Sequence, residues 1–277
     1  MPVAVDSYAR TPAPSHLDGV VEHVWVARHG GGRTHHEVLL PDGRGLLQVV
    51  RGTAGTRLDP LTGAQVPDLD GVRGPWTRTE LAEQTGPVVR LGVQLHPLGA
   101  ARLRGGRPAA DTWLPLTDVL PGAVVDRVCA LLDAHHDAQA VAACVDAIAA
   151  APRHDTPDLD RLDEALAFVD THRGLVRAAD VAREAGTSLG ELHRWCVTLL
   201  GTTPAQHLAA VRFTGFVREA VGSGPVDAAD VVAAVEWFVG TGYPPREVER
   251  TTGMPSAELR RLAERLAHRL GLPAAAL

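Results

Sequence analysis

Lysine and asparagine are absent from this chain of 277 residues, and Ile148 is its only isoleucine. Apart from histidine, every cationic side chain is arginine, as the codon usage of a GC-rich, actinobacterial-type genome gives; this informs on source and not on chemistry. Cys129, Cys144 and Cys196 lie inside apolar helical patterns without CxxC spacing. That excludes a disulfide framework and predicts free thiols in a reducing compartment. No cationic segment followed by an apolar run stands at the N-terminus, and no stretch approaches about 18 uninterrupted apolar residues. The expectation is a cytoplasmic protein without a membrane partner. No Ser-His-Asp, zinc-protease or P-loop signature occurs, so no enzymatic activity is expected. Gly30-Gly31-Gly32 lacks the strand and helix that a dinucleotide fingerprint requires. No cofactor is expected. His29, His35 and His36 lie near these glycines. Adjacent strand residues point to opposite faces, so at most one of His35 and His36 can face a barrel interior, and no metal is expected.

Hydrophobic residues make up 45 % of the chain and mean hydropathy is near zero. At this length the composition fits one large or two ordinary soluble domains with a sizeable core. The net charge of -6 counts against a uniform nucleic-acid footprint, because duplex affinity comes mainly from cations that neutralise phosphates. Only a segregated charge distribution binds DNA well.

From about Leu17 to Leu116, short apolar runs such as Gly19 to Ala27, Leu46 to Val50 and Val88 to Leu95 alternate with turn signals, among them Pro41-Asp42-Gly43 and Leu61-Thr62-Gly63. Val20, Glu22, Val24 and Val26 share one parity; Val21, His23 and Trp25 share the other. Neither face is cleanly polar, so this strand is covered on both sides. The fold class is therefore multidomain α+β. Residues 1–117 form a β-rich, cupin-like barrel or sandwich; residues 118–155 form a helical hairpin and linker; residues 156–277 are all helix. In the hairpin, Val124, Val128, Leu131 and Leu132 recur at helical spacing, and an apolar helical stretch follows from Ala138 to Ala150. This offers an apolar dimerisation surface. Trp25, Trp76 and Trp113 are core aromatics by default and candidate walls of an effector pocket.

The helical part carries one short pattern twice. Val181, Arg183, Gly186, Glu191, Leu192 and Arg194 recur as Val248, Arg250, Gly253, Glu258, Leu259 and Arg261. An apolar anchor, a glycine five residues on and a leucine six beyond it describe two short helices joined by a tight turn. Helix-turn-helix units are expected at about 178–200 and 246–270. Ser188 with Glu191, and Thr203 with Gln206, have capping-box form, and Thr156-Pro157 starts a helix well. On the helix after Ser188, Leu189, Leu192, Cys196 and Leu199 are expected to face inward. A competing register places the second unit around Val232 to Tyr243.

With Gly186, Ser188, Leu192, Arg194, Gly201, Pro204 and Arg212 in place, the segment from about Leu159 to Ala220 resembles the DNA-binding domain of the AraC family of transcription regulators. The resemblance implies two helix-turn-helix units joined by a long helix, here Pro204 to Val221, that enter successive major-groove segments. The family's second unit usually reads Gly-Phe, where this chain has Gly253-Met254. Leu40-Pro41-Asp42-Gly43, Gly74-Pro75 and the His96-Pro97-Leu98-Gly99-Ala100 segment also resemble a sensor domain found on some members.

The first recognition helix is expected to present Ser188, Gly190, His193, Arg194 and Val197 to base edges, since the N-terminal half of such a helix reads the groove. Arg212 is assigned to the DNA-binding set from the linking helix, and Arg218 to surface ion pairs. Arg260, Arg261, Arg265 and Arg269 cover adjacent faces of the last helix and suit phosphates. The implied partners are double-stranded DNA, a small-molecule effector, RNA polymerase and a second copy of the chain as a homodimer. Two alternatives remain open: a degenerate protein-interaction module without DNA affinity, and a cupin-like enzyme with an accessory helical domain.

Overall fold

The computed structural model describes residues 7–105 and 110–272. The first half holds β1 (Ser7–Pro12), β2 (Val21–His29), β3 (His35–Leu39), β4 (Leu46–Gly52), β5 (Thr56–Leu58), β6 (Gln65–Pro67), β7 (Gly71–Arg73), β8 (Glu80–Gln84), β9 (Val88–Leu95), a short helix α1 (Gly99–Arg104) and β10 (Trp113–Leu114). The helical hairpin is α2 (Gly122–Asp133) and α3 (Asp137–Ala150). Then follow α4 (Pro157–Thr171), α5 (Ala178–Glu184), α6 (Leu189–Trp195), α7 (Pro204–Val221), α8 (Ala228–Gly240), α9 (Pro245–Thr252) and α10 (Ser256–Leu270).

The strands form two antiparallel sheets, a six-stranded one in the order β1-β2-β9-β4-β7-β10 and a four-stranded one in the order β3-β8-β5-β6. Among the described residues they do not join into a closed barrel, so the barrel alternative gives way to two layers.

The larger sheet has two unlike faces, and strand periodicity makes them so. On β9, Val89, Leu91, Val93 and Leu95 enter the core under the α2–α3 hairpin, while Arg90 and Gln94 turn to the other side and line a cavity. On β2, Val24 and Val26 face the hairpin, whereas His23, Trp25 and Ala27 face the cavity. A register shift between Val21 and His23 brings Glu22 to the cavity side beside His23, as an inserted residue does in a bulged strand. The covering of β2 on both sides expected from its mixed parity is thereby explained: one cover is apolar, the other polar.

Trp25 lies opposite Gly92 in the ladder. A Cβ on Gly92 would stand 2.2 Å from the indole, so the glycine makes room for the ring. The hairpin is held to the sheet by more than apolar burial. Arg28 forks onto Asp137 and donates to the Leu132 carbonyl at 2.9 Å, and Arg51 pairs with Asp133. The hairpin's apolar side chains pack on the sheet, and no hairpin residue is among the exposed large hydrophobics. Val128 and Leu132 are fully buried there, while Val124 and Leu131 stay half-buried.

The two halves of the chain share cores. Leu98 and Ala101 belong to the cluster of α4, α5 and α6. Val38, Leu40 and Leu81 of the smaller sheet belong to the cluster of α7, α8 and α10. The Val38 amide donates to the Val226 carbonyl at 2.8 Å, so the segment before α8 extends the β3 edge by one bridge. Arg44 spans the seam, donating to Glu22 at 2.6 Å and to Asp170 at 2.7 Å. Arg102 does the same with the Gly19 carbonyl and Asp163, both at 2.8 Å.

Leu47 is fully buried under the hairpin. Leu47→Ala is expected to lower the unfolding free energy by about 2–5 kcal/mol, read by urea denaturation. A loss below about 1 kcal/mol would show that this core does not carry the fold.

Candidate nucleic-acid interface and interdomain cavity

The first helix-turn-helix follows from local sequence. Helix α4 starts at the Thr156 N-cap, whose hydroxyl accepts from the Leu159 amide at 3.3 Å. It ends where Arg173 and Gly174 both take positive φ. Gly186 makes the turn at φ 61°. Ser188 then caps α6, its hydroxyl accepting from the Glu191 amide at 3.2 Å. Only half of the expected capping box forms, because the Glu191 carboxylate accepts from the Thr187 hydroxyl at 2.7 Å instead. The full box appears at Thr203 and Gln206, which open α7.

Helix α6 is buried through Leu192 and Trp195, and continues as a π-helical turn over Cys196–Leu200. Leu189, expected inward, is 53 % exposed. It stands one residue after the cap, before the helix reaches the core, and Trp195 fills the inward position. Ser188, Gly190, His193, Arg194 and Val197 are all exposed. Arg194 is shared between Asp158 at 3.5 Å and Glu191 at 3.4 Å, both half-exposed and therefore weak. Arg212 has a different surrounding from the one expected of a surface cation. Its guanidinium donates to the carbonyls of Gly174 at 2.5 Å and Val176 at 2.7 Å, closing the loop between α4 and α5 onto α7.

The second unit is α9, a turn and α10, in the later of the two registers. Gly253 takes φ 71°, and a Cβ there would stand 2.5 Å from the Ala209 carbonyl, so the turn packs directly on α7. Thr252 ties it, donating to the Val248 carbonyl at 2.8 Å and accepting from the Met254 amide at 3.2 Å. Leu259, Leu262 and Leu266 are buried. Arg260, Arg261 and Arg265 are exposed and make no ion pair among the described residues. Arg269 forks onto Glu83 of β8 with both contacts at 2.6 Å, and His36 approaches the same carboxylate at 3.3 Å. Arg269 is thus engaged by the sheet in this arrangement, unlike its three neighbours.

A cavity of about 360 Å³ lies between the polar face of the larger sheet, β3 and α7. Of the three tryptophans named as candidate effector walls, Trp25 lines it. Trp76 and Trp113 do not; they pack over the buried guanidiniums of Arg73 at 4.6 Å and Arg57 at 4.1 Å.

The cavity's charged residues escaped the sequence reading. Strand alternation on β9 pointed Arg90 and Gln94 away from the apolar face, but not towards any partner. Arg90 donates to Asp68 at 2.9 Å and to Gln84 at 2.7 Å. Asp42 accepts from the Arg44 amide at 2.9 Å and the Gln94 side chain at 3.2 Å. Desolvation pushes the Glu37 carboxyl up to about 7 and the His23 imidazole down to about 4, the latter helped by Arg10 and Arg44. Arg218, expected in a surface ion pair, instead donates to the carbonyls of Gly222 at 3.1 Å and Gly224 at 2.5 Å.

The His29 and His35 rings lie tilted against each other, with centres 4.7 Å apart. Among the described residues no three His, Cys, Asp or Glu side chains are placed to hold a metal ion, and no helix is long and apolar enough to cross a membrane.

No protein-family model and no curated protein matches the chain. Among solved structures, ToxT from Vibrio cholerae O395 is 11 % identical, covering 93 % of this chain and 98 % of that one with a TM-score of 0.43. A ToxT with unsaturated fatty acid bound is 10 % identical over 99 % of this chain and 100 % of that one, with a TM-score of 0.36. The AraC-like transcriptional activator CuxR is 13 % identical over 69 % and 88 %, with a TM-score of 0.28.

His207 of α7 is buried against the Pro41-Asp42-Gly43 turn, a Cβ on Gly43 falling 2.6 Å from its ring. Neither ring nitrogen has a hydrogen-bond partner, and desolvation pushes the imidazole down to about 4. The folded chain therefore holds His207 neutral where the unfolded chain protonates it. The resulting stability is full above about 6.5 and is lost as pH falls towards about 4. His23 and His35, both pushed down to about 4, act in the same direction; Glu37 opposes them between about 7 and its ordinary range. Urea denaturation from pH 7.5 to 4.5 is expected to show falling stability, with a shallower slope in His207→Leu. An unchanged slope in that variant would mean that His207 is not held neutral.

Proposed function

We propose that the chain is a sequence-specific DNA-binding transcription regulator of the AraC type, controlled by a small effector through its N-terminal half. The observation that carries this reading is the face of α6. Five side-chain positions from Ser188 to Val197 are exposed together on a helix whose start is fixed by a cap and whose back is locked by Leu192 and Trp195. That is the geometry with which the second helix of a helix-turn-helix enters a major groove.

The charge pattern supports the same reading. The chain is acidic overall, yet α10 presents Arg260, Arg261 and Arg265 without carboxylate partners, suited to phosphates. Arg212 then serves the interface indirectly, by holding the α4–α5 loop. We assign 156–277 to the DNA-binding unit and 1–117 to the sensor, with the 118–155 hairpin part of the sensor's core. Control follows if the effector prefers one arrangement of the two halves. A homodimer on paired half-sites would use a surface other than the hairpin's apolar face. Contact with RNA polymerase, cytoplasmic location and the lack of catalysis complete the reading.

Binding to the DNA upstream of its own gene, measured by fluorescence anisotropy at several salt concentrations, tests it. Affinity is expected to fall steeply with salt. Arg194→Ala is expected to lose about 1–3 kcal/mol and to relax sequence preference. Arg261→Ala is expected to weaken all sequences alike and to reduce the salt slope by about one. Salt-independent binding, or binding unaffected by both substitutions, would defeat the proposal and favour a protein-interaction role.

A further inference from the structure

We infer that the cavity between the larger sheet and α7 binds a small hydroxylated monocarboxylate, its carboxylate on Arg73 and its hydroxyls on Thr214 and Glu37. The inference deepens the regulatory reading above and rests on it for the biological consequence, though not for the binding itself.

Three unfilled polar groups line this cavity. The Arg73 side chain is 4 % exposed, and its Nε and Nη1 have no hydrogen-bond partner. Among the described residues no carboxylate stands within ion-pair distance of it; its guanidinium lies over the Trp76 ring at 4.6 Å. Leaving a buried guanidinium without an anion is costly, and a native chain seldom tolerates it without a reason. The Thr214 hydroxyl is likewise buried and unpartnered, although it lies on α7 in the other half of the chain. Glu37 of β3 lines the same space and makes no side-chain hydrogen bond among the described residues. The three side chains line a common volume from three different elements.

The rest of the wall narrows the chemistry. Arg44 and Arg90 are neutralised by Glu22, Asp170 and Asp68, so they make the cavity polar without offering a free charge. An alkyl chain would leave these groups desolvated and unrewarded. Arg10 and Arg218 also line the cavity without a carboxylate partner, held instead by His23 and by the Gly222 and Gly224 carbonyls; Glu37 and Asp42 in the same wall disfavour a dianion more than a monoanion. One carboxylate matches the planar fork of one arginine. Hydroxyls both donate and accept, which suits Thr214 and a carboxyl that changes protonation state near neutrality. A volume of about 360 Å³ sits at the small end of ligand cavities. A ligand held by Arg73 and Thr214 ties the sheet to α7, the helix that connects the two helix-turn-helix units.

Isothermal titration of the full chain without DNA, using gluconate and glycerate, tests the inference. Saturable binding of at least one is expected. Hexanoate, sorbitol and inorganic phosphate are expected to bind at least tenfold more weakly. Arg73→Gln is expected to cost tenfold or more in affinity and Thr214→Val several-fold, with circular dichroism checking the fold. If Arg73→Gln does not fold, Thr214→Val and Arg218→Gln at the cavity wall decide, both being expected to weaken binding. No binding by either hydroxy acid, equal binding of hexanoate or phosphate, or affinities unmoved by the folded variants would overturn it. A chain that binds DNA but neither hydroxy acid loses this inference alone; one that binds a hydroxy acid but no DNA loses the regulatory reading alone.

Discussion

The shared apolar seam between the smaller sheet and the second helix-turn-helix sets the arrangement of everything else. Val38, Leu40 and Leu81 bury themselves among Val231, Val235, Leu262 and Leu266 rather than in a core of their own sheet. The smaller sheet has only four strands, two of them three residues long, and could not bury its apolar face alone. Packing it on α8 and α10 supplies that burial. The consequence is that the second unit cannot move without exposing the sheet, and that α7 is drawn across the polar face of the larger sheet to enclose a cavity.

That enclosed face is where charge is concentrated. Burial of arginines and carboxylates is tolerated because most are matched: Arg90 and Gln48 to Asp68, Arg57 to Glu80, and Arg44 to Glu22 and Asp170. Matched pairs in a low-dielectric seam add little net stability compared with apolar packing, but they penalise any misaligned docking of the two halves. The pairs that cross the seam, with Arg102 on Asp163 and Arg269 on Glu83, therefore fix orientation more than they add affinity. Arg73 and Thr214 are among the buried groups left unmatched, and both stand on the cavity.

The same seam bears on the two helix-turn-helix units unequally. The first stands on α4 and on Leu98 and Ala101 of the N-terminal half, with its Ser188 to Val197 face in solvent. The second is held from behind by the smaller sheet, which also takes Arg269 out of the row of arginines on α10. The exposed face of α6 is therefore independent of the smaller sheet, while the position of α10 depends on how the N-terminal half is seated.

Local chemistry made much of this legible in the sequence. The limits of α7 follow from Thr203-Pro204 and from loss of the helical pattern after Val221; the turn at Gly186 and the cap at Ser188 follow from residue type alone; β4 and β9 follow from their apolar runs. Each depends on neighbours within a few residues. What needed the tertiary structure was the partner of each polar group. Leu189 looked buried by periodicity yet stands outside the core, and Arg212 and Arg269 looked like free cations until a loop and a strand far along the chain came to meet them. Strand parity determined that Arg90 and Gln94 leave the apolar face, and Arg73 stands on a strand too short for its parity to be read. That these residues face a cavity closed by α7, and that Arg73 alone among its guanidiniums lacks a hydrogen-bonding partner, depends on contacts between residues over a hundred positions apart. Such contacts are set by the mutual burial of whole surfaces, which no short stretch of sequence encodes.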